Sequence, residues 1–220
     1  MATIEKHDAK GRRSDVIATE LGYLWSNLLQ RGVLETQRTI GFCSIGENEG
    51  NNTLAANMAL FLGNKGVRIA LVEAAVRTNT LAEIFQATPQ PGLAEVLADK
   101  VPMRDALRPA VAKGVDLVVG GDSLDPYWTF TGDGFRDSLG LLLQDHDLCL
   151  VDVPGLNRAP EASLVVRALD AVVLVVEANR HRAEVVKRNL AHLRSLGTPV
   201  LGSVVNELVH EIPTLIERLM

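Results

Sequence analysis

Between residues 39 and 206 the chain alternates short apolar runs rich in β-branched residues with stretches of helical periodicity. A strand covered by helices on both faces must be apolar on both of its faces, so it reads as a continuous run rather than as strict alternation. Runs of this kind occur at 39–44, 68–73, 116–119, 148–153, 171–177 and 200–205. Helical spacing is clearest at 53–64, 135–144, 183–195 and 211–220, and a further helix at 16–29 carries Ile17, Leu21, Leu24, Trp25 and Leu28 on one stripe. Pro91-Gly92 opens a short helix at 93–98, and 106–112 reads as another, weaker one. Strands alternating with helices specify βαβ units. The expected fold is a doubly wound α/β domain, with a mainly parallel sheet and helices on both faces. The polar segment 1–15 reads as a mobile tail, and 16–220 as one domain.

Composition agrees and narrows the function. Apolar residues make up 47% and aromatic residues only 4% of the 220, as in cores built from Val, Leu, Ile and Ala. The net charge of −5 and the absence of a Lys/Arg block argue against a surface that neutralises nucleic-acid phosphates. Cys43 and Cys149 both lie inside expected strands, which favours free thiols in a reducing cytoplasm. The longest apolar stretch, 171–176, is far too short to span a bilayer.

The first strand runs into a small polar loop and then a helix: TIGFCS, IGENEG, NNTLAANMALFLGN. A strand, a glycine-containing loop and a helix N-terminus make an anion cradle, because the first backbone N–H groups of the helix have no partner inside it. The N–H groups from Gly50 to Thr53 are the candidates.

This frame resembles the deviant Walker group of P-loop ATPases, which includes the ParA/MinD proteins and the bacterial tyrosine autokinases of capsule export. The autokinases match best. They read S-x-x-P-G-E-G-K-S-T where this chain reads SIGENEGNNT, from Ser44 to Thr53. Glu49, Gly50 and Thr53 agree. Glu47 replaces the proline, Asn48 the first glycine, Asn51 the lysine and Asn52 the hydroxyl residue. In a working loop the lysine lies on the β- and γ-phosphates and the hydroxyl ligates Mg²⁺. An uncharged amide in place of that lysine removes on the order of several kcal/mol of transition-state stabilisation.

Two acidic motifs complete the resemblance. The family's I-D-A-D-L-R-R-P is here Val72-Glu73-Ala74-Ala75-Val76-Arg77-Thr78-Asn79, so one carboxylate is lengthened to Glu73 and the other is lost at Ala75. The Walker B-like stretch I-I-D-T-P is matched by Leu150-Val151-Asp152-Val153-Pro154. Asp152 and Glu73 are therefore the candidate metal carboxylates, and Arg77 a candidate positive charge beside the phosphates. Asp152 reads equally well as a strand-end residue capping the next turn. Asn206 falls where relatives read the adenine base, or else ends a strand. Arg180, His181 and Arg182 read as a solvated loop.

The resemblance implies a vestigial nucleotide site made of Glu49, Gly50, Asn51, Asn52, Thr53 and Asn206, with ATP or ADP and Mg²⁺ as the only cofactors it suggests. No catalytic residue is assigned. The expected role is that of a non-catalytic or severely impaired member, acting with an inner-membrane polysaccharide co-polymerase in exopolysaccharide synthesis and export. A homo-oligomer is left open. The alternatives are an atypical Mg-ATPase built on Glu73, Arg77 and Asp152, or a ParA/MinD-like positioning protein.

Overall fold

The computed structural model describes residues 12–206, with side chains from 17 onward, so the helix expected at 211–220 and most of the expected tail lie outside the described residues. The elements are α1 (Arg12–Leu29), β1 (Thr39–Ser44), α2 (Asn51–Asn64), β2 (Ile69–Glu73), α3 (Thr80–Ile84), α4 (Leu93–Leu97), α5 (Met103–Ala106), β3 (Leu107–Ala112), β4 (Val115–Val118), α6 (Pro126–Thr129), α7 (Gly134–Leu142), β5 (Leu148–Asp152), α8 (Ala162–Arg167), β6 (Ala171–Glu177), α9 (Ala183–Ser195) and β7 (Val200–Asn206). The first helix starts at Arg12, four residues before the expected position.

The seven strands form one sheet in the order β3-β4-β2-β5-β1-β6-β7. All neighbours are parallel except β3, which runs antiparallel to β4. Here the structure corrects the sequence: 106–112 was expected to be a helix, and it is the edge strand β3. Pro109 has no N–H to give a ladder or a helix, and an edge strand with an irregular register tolerates it. The other six strands lie where the apolar runs put them, to within one residue at either end.

Each face of the sheet carries its own core. On one side Ile40, Phe42 and Leu71 pack with Met58 and Leu62 of α2 and Leu28 of α1. On the other, Cys43, Val72 and Val151 pack with Phe135, Leu139, Val165 and Leu193. A fully buried leucine such as Leu62 contributes about 1.5–3 kcal/mol through removal from water. Gly41 is required in the middle of β1, since a Cβ there would lie 2.5 Å from Leu169 Cδ1 and 2.9 Å from Val153 Cγ2. Among the described residues no helix is long and apolar enough to cross a membrane.

β1 lies between β5 and β6, and parallel pairing brings the carboxyl ends of β2, β5, β1, β6 and β7 to one rim. That rim is where open α/β sheets place their ligands. The loop 45–50, Glu73, Asp152 and Asn206 meet there.

Candidate functional site

The loop after β1 turns on two left-handed residues, Asn48 at φ 57° and Gly50 at φ 89°. Gly50 is also the residue before α2, and a Cβ on it would stand 2.1 Å from Asn206 Nδ2. Asn206 uses that space to donate its Nδ2 to the Glu49 carbonyl at 3.1 Å. The side chain proposed to read a base is thus attached to the loop's own backbone. That geometry ties the end of β7 to the loop.

Glu49 is fully buried, with Oε1 accepting the Gly46 N–H at 2.6 Å and lying 2.7 Å from His181 Nε2. Its other oxygen, Oε2, is buried without a partner. The sequence had placed this carboxylate beside the phosphates and His181 in solvent. Both are turned inward, because β6 delivers the 178–182 turn against the back of the loop. Arg180 pairs with Glu177 and reaches the Asn48 carbonyl.

Asn51 is buried at the floor of the cleft that the loop also lines. Its Nδ2 donates to Asp152 Oδ1 at 2.7 Å and to the Val153 carbonyl at 3.0 Å. Burial pushes the Asp152 carboxyl well above the usual carboxylate range, the charge of Glu73 adds to this, and the Asn51 amide opposes it. Glu73 sits directly across from Asp152 in the β2–β5 ladder. Both its oxygens accept backbone N–H bonds, Oε1 from Leu81 at 2.8 Å and Oε2 from Gly120 at 3.1 Å. Burial raises its carboxyl pKa, and the backbone donors partly reverse the effect.

Next along the helix, Asn52 Oδ1 accepts the Thr53 N–H at 2.7 Å, so one of the four candidate anion donors already has a partner. Arg77 forks onto Glu161, with Nε to Oε1 at 2.8 Å and Nη2 to Oε2 at 3.4 Å. Glu161 is 1% exposed, and it draws the guanidinium away from the role expected of it. A short helix, α8, places Glu161 at its start, and no periodic signal in the sequence marks that helix.

These groups surround a cleft of about 90 Å³ lined by Gly46, Asn48, Asn52, Arg77, Thr78 and Arg158 among others. Arg158, in the turn after β5, was not singled out from the sequence. It is an exposed cation at the mouth, and its only sequence signal is its distance from the Asp152-Val153-Pro154 stretch.

The side chains as they stand do not fit a magnesium ion. Asp152 is held by an amide, Glu73 is committed to the backbone, and Ala75 has no oxygen to offer. Among the described residues no group of three His, Cys, Asp or Glu is arranged to hold a metal. An anion entering the cleft would meet Arg158 at its mouth, while the Arg77 guanidinium is engaged by Glu161.

No protein-family model matches the chain. The putative tyrosine-protein kinase CapB of Staphylococcus aureus is 24% identical over 160 residues, which is 72% of this chain and 70% of CapB. Tyrosine-protein kinase CpsD of Streptococcus agalactiae is 22% identical over 216 residues, 97% of this chain and 93% of CpsD. This chain is a relative of the bacterial tyrosine-protein kinases.

Solved structures share the fold. The kinase domain of the Escherichia coli tyrosine kinase ETK superposes with a TM-score of 0.86 at 18% identity, covering 95% of this chain and 85% of that domain. The septum site-determining protein MinD of Pyrococcus horikoshii, complexed with Mg-ADP, superposes with a TM-score of 0.69 at 19% identity, covering 83% of this chain and 77% of MinD. Both likenesses concern the P-loop fold.

Proposed function

We propose that this protein is a non-catalytic, or severely impaired, relative of the tyrosine kinases that acts as a regulatory or scaffold partner in exopolysaccharide synthesis and export. Its partner in this reading is an inner-membrane co-polymerase or chain-length protein, met at the cytoplasmic face. One observation carries the proposal. Asn51, at the position of the phosphate-binding lysine, has its amide on Asp152 Oδ1 at 2.7 Å. The two groups that should hold phosphate and metal in a working site are hydrogen-bonded to each other. Phosphoryl transfer depends on positioned positive charge, and neither partner of this pair supplies any.

The rest of the site supports the reading. Glu73 and Arg77, on which a rearranged Mg-ATPase would draw, are bound to backbone N–H groups and to Glu161. A folded scaffold that retains its rim but not its reactive groups can still present surfaces to a partner.

Calorimetric titration of the natural protein with ATP and Mg²⁺, beside a phosphate-release assay, tests this. The expected result is no turnover in the natural chain, and none in Asn51→Lys alone, because Asn52 and Ala75 are still unable to serve the metal. Mg²⁺-dependent ATP turnover by the natural protein that disappears in Asp152→Ala would overturn the proposal.

A further inference from the structure

The segment between β4 and α7 is built as a rigid platform, and its side chains divide sharply by direction. Its base is fixed: Asn79 Nδ2 donates to the Gly121 carbonyl at 2.9 Å and Asn79 Oδ1 accepts the Gly121 N–H at 3.0 Å, while Glu95 Oε1 accepts the Asp122 N–H at 3.1 Å. Thr129 Oγ1 lies 2.6 Å from Ser123 Oγ, and Asp125 Oδ1 accepts the Trp128 N–H at 3.3 Å. Pro126 and Phe130 point inward, and Phe130 packs edge-on against Phe135 at 5.2 Å. Leu124, Tyr127 and Trp128 point outward. Leu124 is completely exposed, Trp128 is 67% exposed and Tyr127 42%, with the two rings in an edge-to-face pair.

Hydrogen bonds on both sides of the turn hold the segment that carries these three side chains, whose apolar surface would be stabilised by removal from water. Trp and Tyr are enriched among the side chains that anchor interfaces. Charge identifies the occupant. Asp122, Asp125 and Asp133 are all exposed along the same segment, and Arg136 beside them is drawn off to the Arg167 carbonyl. The chain as a whole carries −5. An anionic lipid surface is repelled by such a patch, as is a second copy with the same charge. Arginine and lysine are attracted to it, and they also stack on exposed aromatic rings.

We propose that the 122–133 platform is a docking surface for a basic, leucine-bearing peptide segment of another protein. This extends the scaffold reading by giving the partner's contact segment a chemistry. It is scored without nucleotide, so its failure and that of the impaired-site reading are separable.

The probe is a fluorescent synthetic peptide alternating arginine and leucine, titrated into the natural protein by anisotropy beside its glutamate–leucine counterpart. Binding of the arginine peptide only is expected, weakened about tenfold in Leu124→Ser/Trp128→Ser and about tenfold in Asp122→Lys/Asp133→Lys. Leu141→Ser, an exposed leucine on α7 away from the platform, should leave it unchanged. Since these positions are exposed, circular dichroism should report folded variants. The proposal is overturned if the arginine peptide does not bind, or if it binds the variants equally well. It is also overturned if Trp128→Ser abolishes sedimentation with phosphatidylglycerol vesicles or self-association in the ultracentrifuge, since the patch would then serve a membrane or a second copy.

Discussion

Asn51 Nδ2 lies 2.7 Å from Asp152 Oδ1, joining the first turn of α2 to the end of β5 through two buried side chains. An uncharged amide there satisfies a carboxyl that desolvation would otherwise leave costly. Removing the donor exposes the cost. Asn51→Leu leaves Asp152 Oδ1 and the Val153 carbonyl without their partner, and should lower stability by about 1–3 kcal/mol in urea unfolding. A variant as stable as the natural protein would refute the bond's role.

The buried pair Asp152 and Glu73 makes stability depend on pH in a stated direction. Burial raises both carboxyls above their ordinary values. Their contribution is therefore fully present below the unfolded values of about 4 and is lost as pH rises through the raised folded values. Asp152→Asn keeps an oxygen for Asn51 and removes the titration. Its stability advantage over the natural chain should grow from about pH 5 to about pH 8, followed by urea midpoints. A constant difference across that interval would contradict the assignment.

Gly50 is held both by its φ of 89° and by the Asn206 amide in the space of a Cβ. Gly50→Ala should destabilise by about 1–3 kcal/mol. Asn206→Gly in the same chain should recover the steric part and leave the backbone strain. A double-mutant cycle in urea measures the coupling, and additive effects would mean that the two residues do not meet.

Arg77 and Glu161 oppose anion binding in the cleft as long as they are paired. Glu161→Gln frees the guanidinium at the cleft lining and should tighten sulfate or metal-free ATP binding a few-fold by calorimetry, on the order of 1 kcal/mol. Arg77→Met leaves Glu161 buried without its cation and should cost about 1–3 kcal/mol of stability at neutral pH. Unchanged affinity in Glu161→Gln would show that Arg77 does not act on the ligand.

Most of the fold was legible along the chain because the strands of a sheet covered on both faces are continuous apolar runs, and six of the seven stood out that way. The seventh, β3, did not. Its exposed edge position removes the apolar signal, and Pro109 mimics a helix start or a turn. The short helices α3, α5, α6 and α8 were also missed, since one or two turns give no periodicity to detect. Asp125 before Pro126 was the available sign of α6, an N-cap residue followed by proline at the first helical position.

The sequence by itself determined which side chains stand at the loop and acidic positions, because they are Asn51, Asn52 and Ala75 whatever the fold does with them. It also placed the loop, since strand, turn and helix patterns are local. Only the tertiary structure decided where the retained groups went: Asn51 to Asp152, Glu73 to the backbone of α3 and Gly120, Arg77 to Glu161, Glu49 to His181 and Asn206 to the Glu49 carbonyl. A buried polar group takes whatever partner the packed elements bring within about 3 Å. Those partners lie 8 to 157 residues away along the chain, a separation at which no sequence pattern records their meeting.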